Sequence, residues 1–160
     1  MKHSSAIARA VLCVLLLAGC SARPDSAGTD RPAAIETRID SLAGTRWRAT
    51  AVDDGSGAAA AIDASLQVTL AFSADGRRAS GIAGCNRYAA EVTVDGAALS
   101  FGAAAASKKM CGEPADVMAV EQRFLAALAT VASARIAQDR LELRTAGGGL
   151  ALALARDGAP

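Results

Sequence analysis

Four cysteines and one histidine set the chemistry open to this chain of 160 residues. The histidine is His3, inside an N-terminal leader, so its removal would leave no residue that titrates near neutrality and no commonest zinc ligand. Ser-His-Asp and Cys-His catalysis would go with it. Cys13 and Cys20 belong to the leader region, which leaves Cys85 and Cys111 to the body of the chain. In an oxidising compartment an even remainder usually pairs, and closing that loop stabilises a fold by about 3 to 4 kcal/mol on the chain-entropy view. The alternative is two separate buried thiols serving as small apolar groups. Redox catalysis lacks its Cys-x-x-Cys spacing, and two cysteines fall short of the four ligands of a structural zinc site. No metal and no cofactor is therefore expected, and the chain lacks a Gly-x-x-x-x-Gly-Lys phosphate loop.

Polar residues close to Cys85 offer the next candidates. Gly84, Asn86, Arg87 and Tyr88 form either a ligand-facing edge or a purely structural motif. On the structural reading Asn86 takes a left-handed turn or bonds its own backbone, Arg87 is solvated, and Tyr88 packs inward with its hydroxyl at the rim. Ser107 beside Lys108 is a poor nucleophile and base pair, because neighbours in extended chain point apart. Arg77, Arg78, Arg87, Lys108 and Lys109 form either a patch for lipid phosphates or a scattered, solvated set. The formal net charge of +1 gives no broad reason to bind nucleic acid.

The leader itself carries an address. Lys2, His3 and Arg9 precede an apolar run from Ala10 to Ala18, too short to span a bilayer as a helix. The run closes on Leu17, Ala18, Gly19 and Cys20, which resembles the bacterial lipobox that directs acylation of the cysteine and cleavage before it. Residues 1–19 are thus expected to be a lipoprotein signal peptide, with 20–41 a lipidated cysteine and flexible tether poor in large apolar residues. Losing Lys2 and Arg9 would leave 15 basic against 16 acidic residues. Ser21 in place of an aspartate favours sorting to the outer membrane on the lipoprotein resemblance.

Elements that could position these residues follow from periodicity. A strand is expected from about Trp47 to Val52, and Leu66, Val68, Leu70 and Phe72 alternate as one buried face. Asp75-Gly76 and Asp95-Gly96 mark two hairpins, the first leading into Arg78–Ile82 and the second joining Val92 and Val94 to Leu99 and Phe101. Residues 53–61 and the run Ala103–Ala106 are expected as loops. Val117, Val120, Phe124, Leu128 and Val131 recur at three and four, which predicts a helix over 115–131 with Pro114 in its first turn and Glu121, Gln122 and Arg123 partly facing water. Arg135–Ala137, Leu141, Leu143 and the alternating leucines 150, 152 and 154 complete the strands around a triple-glycine turn. The class is α+β: a curled antiparallel sheet, a partial barrel of about seven or eight strands, packed on a single α-helix. With 41 alanines, the five aromatics must supply much of the core.

Three segments carry a family resemblance. Leu42, Gly44, Thr45 and Trp47 are similar to the Leu-x-Gly-Thr-x-Trp start of the META domain, the family of HslJ-like lipoproteins. Gly81 to Tyr88 resembles its Gly-x-x-Gly-Cys-Asn-x-Tyr segment. Met110 and Cys111 with Glu121, Phe124 and Leu128 resemble its Met-x-Cys element and following helix, although Met110 here abuts Cys111 directly. The resemblance covers a domain at 42–157. It implies strands curled around one helix, frequent lipid anchoring and an association with envelope stress or antibiotic tolerance, without an enzymatic activity. The expected function is a non-enzymatic envelope protein, monomeric, held by lipid on Cys20 at the periplasmic face of the outer membrane. Alternatives are a docking module for an envelope or secretion-machinery protein, by strand addition to an exposed edge, and a carrier of a small apolar ligand.

Overall fold

The computed structural model describes residues 42–158. The expected signal peptide, Cys20 and the tether lie outside the described residues. Among the described residues ten strands and one complete helix follow in chain order: β1 (Arg46–Asp53), β2 (Ala59–Ala61), β3 (Thr69–Phe72), β4 (Arg78–Ile82), β5 (Arg87–Asp95), β6 (Ala98–Phe101), β7 (Ala105–Ala106), α1 (Val117–Ala129), β8 (Val131–Ala137), β9 (Arg140–Thr145) and β10 (Leu150–Arg156).

All pairings are antiparallel. Eight strands run β1-β3-β4-β5-β6-β8-β9-β10, and β10 pairs back onto β1, with Trp47 opposite Arg156 and Val52 opposite Leu152. The α+β architecture of a curled antiparallel sheet on one helix is thus present, and the sheet closes fully into a barrel. β2 adds to β1 and β7 adds to β5 as short side strands. Closure matters because an open sheet leaves two edges of unpaired amides, whereas a barrel leaves none of its own. An eight-stranded barrel has an interior that side chains can just fill. Trp47, Leu70, Leu99, Leu141, Leu143 and Leu152 fill it here, all nearly inaccessible.

Hairpin chemistry explains the local register. Gly76 and Gly96 have φ of +69° and +59°, conformations a side chain disfavours, and each follows an aspartate. The Asp75 carboxylate accepts from the Ser73 hydroxyl at 2.5 Å and the Arg77 amide at 3.1 Å, which holds its acid below the ordinary range. The strand expected over 66–72 is regular only from Thr69. Before it, Ser65 and Leu66 amides turn back onto Asp63, and Val68 makes an isolated bridge to Ala83. Leu66 and Val68 remain buried, so their alternation reported the core face correctly while the hydrogen bonds went to a turn and to β1.

Two expected loops contain strand. Residues 53–61 include β2, and the alanine run includes β7, whose Ala105 and Ala106 face Ala89 and Tyr88. Neither two nor three alanines carry a periodic signal. The helix begins at Val117 rather than 115, because the Val117 amide donates to the Pro114 carbonyl in a turn ahead of it. Pro114 therefore precedes the helix. Thr130 closes the far end through its hydroxyl and amide on Ala127, and β8 starts at the next residue. At about 20 Å long, α1 bridges from β7 to β8 and packs its apolar stripe onto the barrel, with Phe124 edge-on to Tyr88 at 5.3 Å. Among the described residues no helix is long and apolar enough to cross a membrane.

Candidate functional site

The residues singled out around Cys85 converge at one place, where the β4–β5 turn meets the start of α1. Each glycine there is required by a close approach. A Cβ on Gly81 would lie 2.1 Å from the Thr69 carbonyl oxygen, so only glycine lets β4 lie on β3. Gly84 has φ of +113°, and a Cβ there would meet the Val117 carbonyl and side chain at 3.1 and 3.2 Å. The first turn of α1 thus seats directly on the Gly84 backbone.

Asn86 occupies the centre, only 2% exposed. Its Nδ2 donates to Glu121 Oε1 at 2.8 Å and to the Lys109 carbonyl at 3.0 Å. Its Oδ1 accepts from the Ser107 hydroxyl at 2.8 Å and the Lys109 amide at 2.7 Å. A primary amide has two donors and two acceptor sites, so the side chain is saturated from within. The Asn86 amide donates to Glu121 Oε2 at 2.8 Å, which uses the second carboxylate oxygen. Three parts of the chain are tied together: the β4–β5 turn, the segment after β7, and α1. Cys85 and Cys111 form a disulfide beside this network, with Cα atoms 6.0 Å apart. No buried side-chain nitrogen or oxygen among the described residues lacks a partner.

Two expectations are corrected here. Asn86 neither takes a left-handed conformation nor bonds its own backbone; among the described non-glycine residues only Gln138 has positive φ. Glu121 does not face water, being 7% exposed. The spacing could have revealed it, since Val117, Glu121, Phe124 and Leu128 lie four, three and four apart on one helical stripe. A carboxylate on that stripe must be bonded internally, because burying a charge without donors is costly.

Tyr88 packs inward, 3% exposed, and its hydroxyl donates to the Thr69 carbonyl at 2.8 Å. Burial pushes its phenol well above the ordinary value. Arg87 is exposed, as the structural reading expected. The opening segment is similarly internal: Trp47 Nε1 donates to the Thr45 hydroxyl at 2.8 Å, which donates in turn to the Leu42 carbonyl. Ser107 is committed to Asn86, so it forms no pair with Lys108. The basic set does not gather either, for Arg78 sits opposite Glu91 across β4 and β5, and Asp75 lies beside Arg77. No cluster of three metal-ligating side chains occurs among the described residues.

What the arrangement does chemically is hold three elements in register. The profile of the META domain matches residues 40–157. The chain belongs to the META domain family. That family is not known as an enzymatic one. No protein of curated description matches the chain significantly. The META fold here is similar to the solution structure of a protein from Burkholderia xenovorans, at 25% identity and a TM-score of 0.66, over 86% of this chain and 98% of that one. A second solution structure, 18% identical with a TM-score of 0.55, covers 74% of this chain and 94% of its own, and shares the fold.

Proposed function

We propose that this META domain protein is a non-enzymatic, lipid-anchored component of the bacterial cell envelope that supports barrier integrity under stress through binding. Acyl chains on Cys20 hold it at the periplasmic face of the outer membrane. The observation that carries the non-enzymatic reading is the saturated Asn86 side chain: the polar cluster with the best claim to chemistry has each donor and acceptor of its central amide engaged inside the fold. The lipobox-like Leu17-Ala18-Gly19-Cys20 carries the anchor.

The docking alternative loses ground on closure of the barrel, because strand addition needs an edge and, among the described residues, the side strands β2 and β7 are short. The carrier alternative is disfavoured by an interior filled with Trp47, Phe124 and leucines. In a host lacking the protein, restoring the wild-type chain lowers sensitivity to hydrophobic antibiotics, and restoring Cys20→Ser does not. Equal rescue by both removes the anchored barrier role, and a stoichiometric protein partner recovered with the wild type replaces it by docking.

A further inference from the structure

Charge on the folded domain is not evenly spread. Residues 42–158 contain twelve lysines and arginines and twelve acids, so the domain is neutral as a whole. Half of the cations lie on the wall made by β1, β10, β9 and β8: Arg46, Arg48, Arg135, Arg140, Arg144 and Arg156. Four acids accompany them. Glu142 pairs with Arg144 at 2.7 Å, Asp139 pairs with Arg156 at 3.4 Å, and Asp53 turns its carboxylate onto the amides of Gly55 and Gly57. That leaves Arg46, Arg48, Arg135 and Arg140 without an ion pair among the described residues, against Asp157 alone.

Register places these arginines on the outer face. Trp47, Ala49, Leu141, Leu143 and Leu154 are buried, so the alternate positions point outward. Arg48 lies opposite Ala155, Ala155 opposite Arg140, and Arg140 opposite Ala137. Arg48 and Arg140 are therefore two strand spacings apart, about 10 Å. In the next row Ala153 faces Glu142, which faces Arg135. Only Ala155 stands between Arg48 and Arg140, and Ala137 lies beyond Arg140, whereas Arg135 has Glu142 across from it. The rest of the domain carries the other six cations against eight acids.

We infer that the outer face of β1, β10 and β9 is a docking surface for anionic phospholipid headgroups, on which the anchored domain lies face down. Guanidinium groups suit phosphate because their planar fork donates two parallel hydrogen bonds to it. Position in the chain supports the same occupant. Cys20 precedes Leu42 by 22 residues, and β1, the first strand after that segment, carries Arg46 and Arg48. The inference rests on the lipid anchor of the proposed function and adds which side of the barrel meets the membrane.

The test uses the acylated full mature chain in vesicles of phosphatidylcholine, with or without about 30% phosphatidylglycerol, and headgroup-linked quenchers. One fluorophore is attached at Ala137→Cys beside the arginine row and another, in a separate protein, at Thr93→Cys on the opposite wall. Quenching at 137 but not at 93, only with phosphatidylglycerol and lost at about 0.5 M salt, is the expected result. Arg48→Ala with Arg140→Ala lowers the contact constant about 25-fold, fivefold for each arginine removed. Arg77→Ala with Arg78→Ala leaves it unchanged. Equal quenching at both positions, or quenching at 137 indifferent to phosphatidylglycerol, overturns the inference. So does protection of the arginine face by a copurifying protein instead of lipid. Failure of the protein to float with the vesicles refutes the anchor, a different outcome from floating with the face unquenched.

Discussion

Asn86 shows how a residue with the look of a ligand site can have every side-chain donor and acceptor engaged inside the fold. Replacing it by alanine takes the Nδ2 donor from buried Glu121 Oε1 and the side-chain partners of the Ser107 hydroxyl and of both Lys109 backbone groups, which belong to exposed residues, while the Asn86 amide keeps its bond to Glu121 Oε2. An unmet buried group costs roughly 1 to 3 kcal/mol, and water can reach Ser107 and Lys109, so Asn86→Ala is expected to lower stability by about 2 kcal/mol. Trp47 is the sole tryptophan, and its fluorescence during urea unfolding reads this directly. Tyr88 is likewise the sole tyrosine. Burial raises its phenol in the folded state, so both states hold the proton below about pH 10. Above that the unfolded chain releases it while the folded chain cannot, and stability falls as pH rises. Tyrosinate absorbance is therefore expected only together with the fluorescence change of unfolding; a smooth titration near pH 10 in folded protein contradicts the buried hydrogen bond to Thr69. From the residues alone, the importance of Gly81, Gly84, Asn86 and Tyr88 as a group was legible, and their partners were not. Thr69, Ser107 and Lys109 are distant in the chain and carry no motif of their own.

Elements were legible wherever the period was long enough to count. The β3–β4 and β5–β6 hairpins announced themselves through Asp-Gly and alternation, and α1 through its three-and-four spacing. β2 and β7 were invisible, since two or three consecutive alanines fit a loop equally well. Their pairing comes from the neighbours: β7 is drawn onto β5 by the Asn86 bonds to Ser107 and Lys109 and by the disulfide just beyond. The Cys85–Cys111 bridge spans 26 positions, for which the chain-entropy expression gives about 3.5 kcal/mol. Cys85→Ala with Cys111→Ala is expected to lose about that much in urea melts while keeping the circular dichroism of a folded barrel. Loss of the helix signal in the folded variant contradicts the view that Asn86 and Glu121 anchor α1 independently of sulfur.

At the scale of the molecule, closure and charge were the features least open to sequence reasoning. The β1–β10 seam joins the first and last strands, and nothing local foretells a pairing between Trp47 and Arg156. Once closed, it stacks the Arg156 guanidinium over the Trp47 ring at 4.5 Å and brings the arginines of β1 within two strand spacings of those of β9. A near-neutral composition concealed this, because charge counts carry no information about sides. The domain that results is a filled barrel whose conspicuous polar cluster is an internal clamp, and on the proposed function its contact with the envelope runs through its outer wall and Cys20. That view stands or falls on the state of the protein in its host membrane. Intact mass of the membrane-extracted protein, taken before and after reduction with alkylation, is expected to give an acylated chain of 141 residues, the 160 less the 19 ahead of Cys20, with two alkyl groups added only after reduction. A soluble, unacylated chain, or one retaining residues ahead of Cys20, contradicts it.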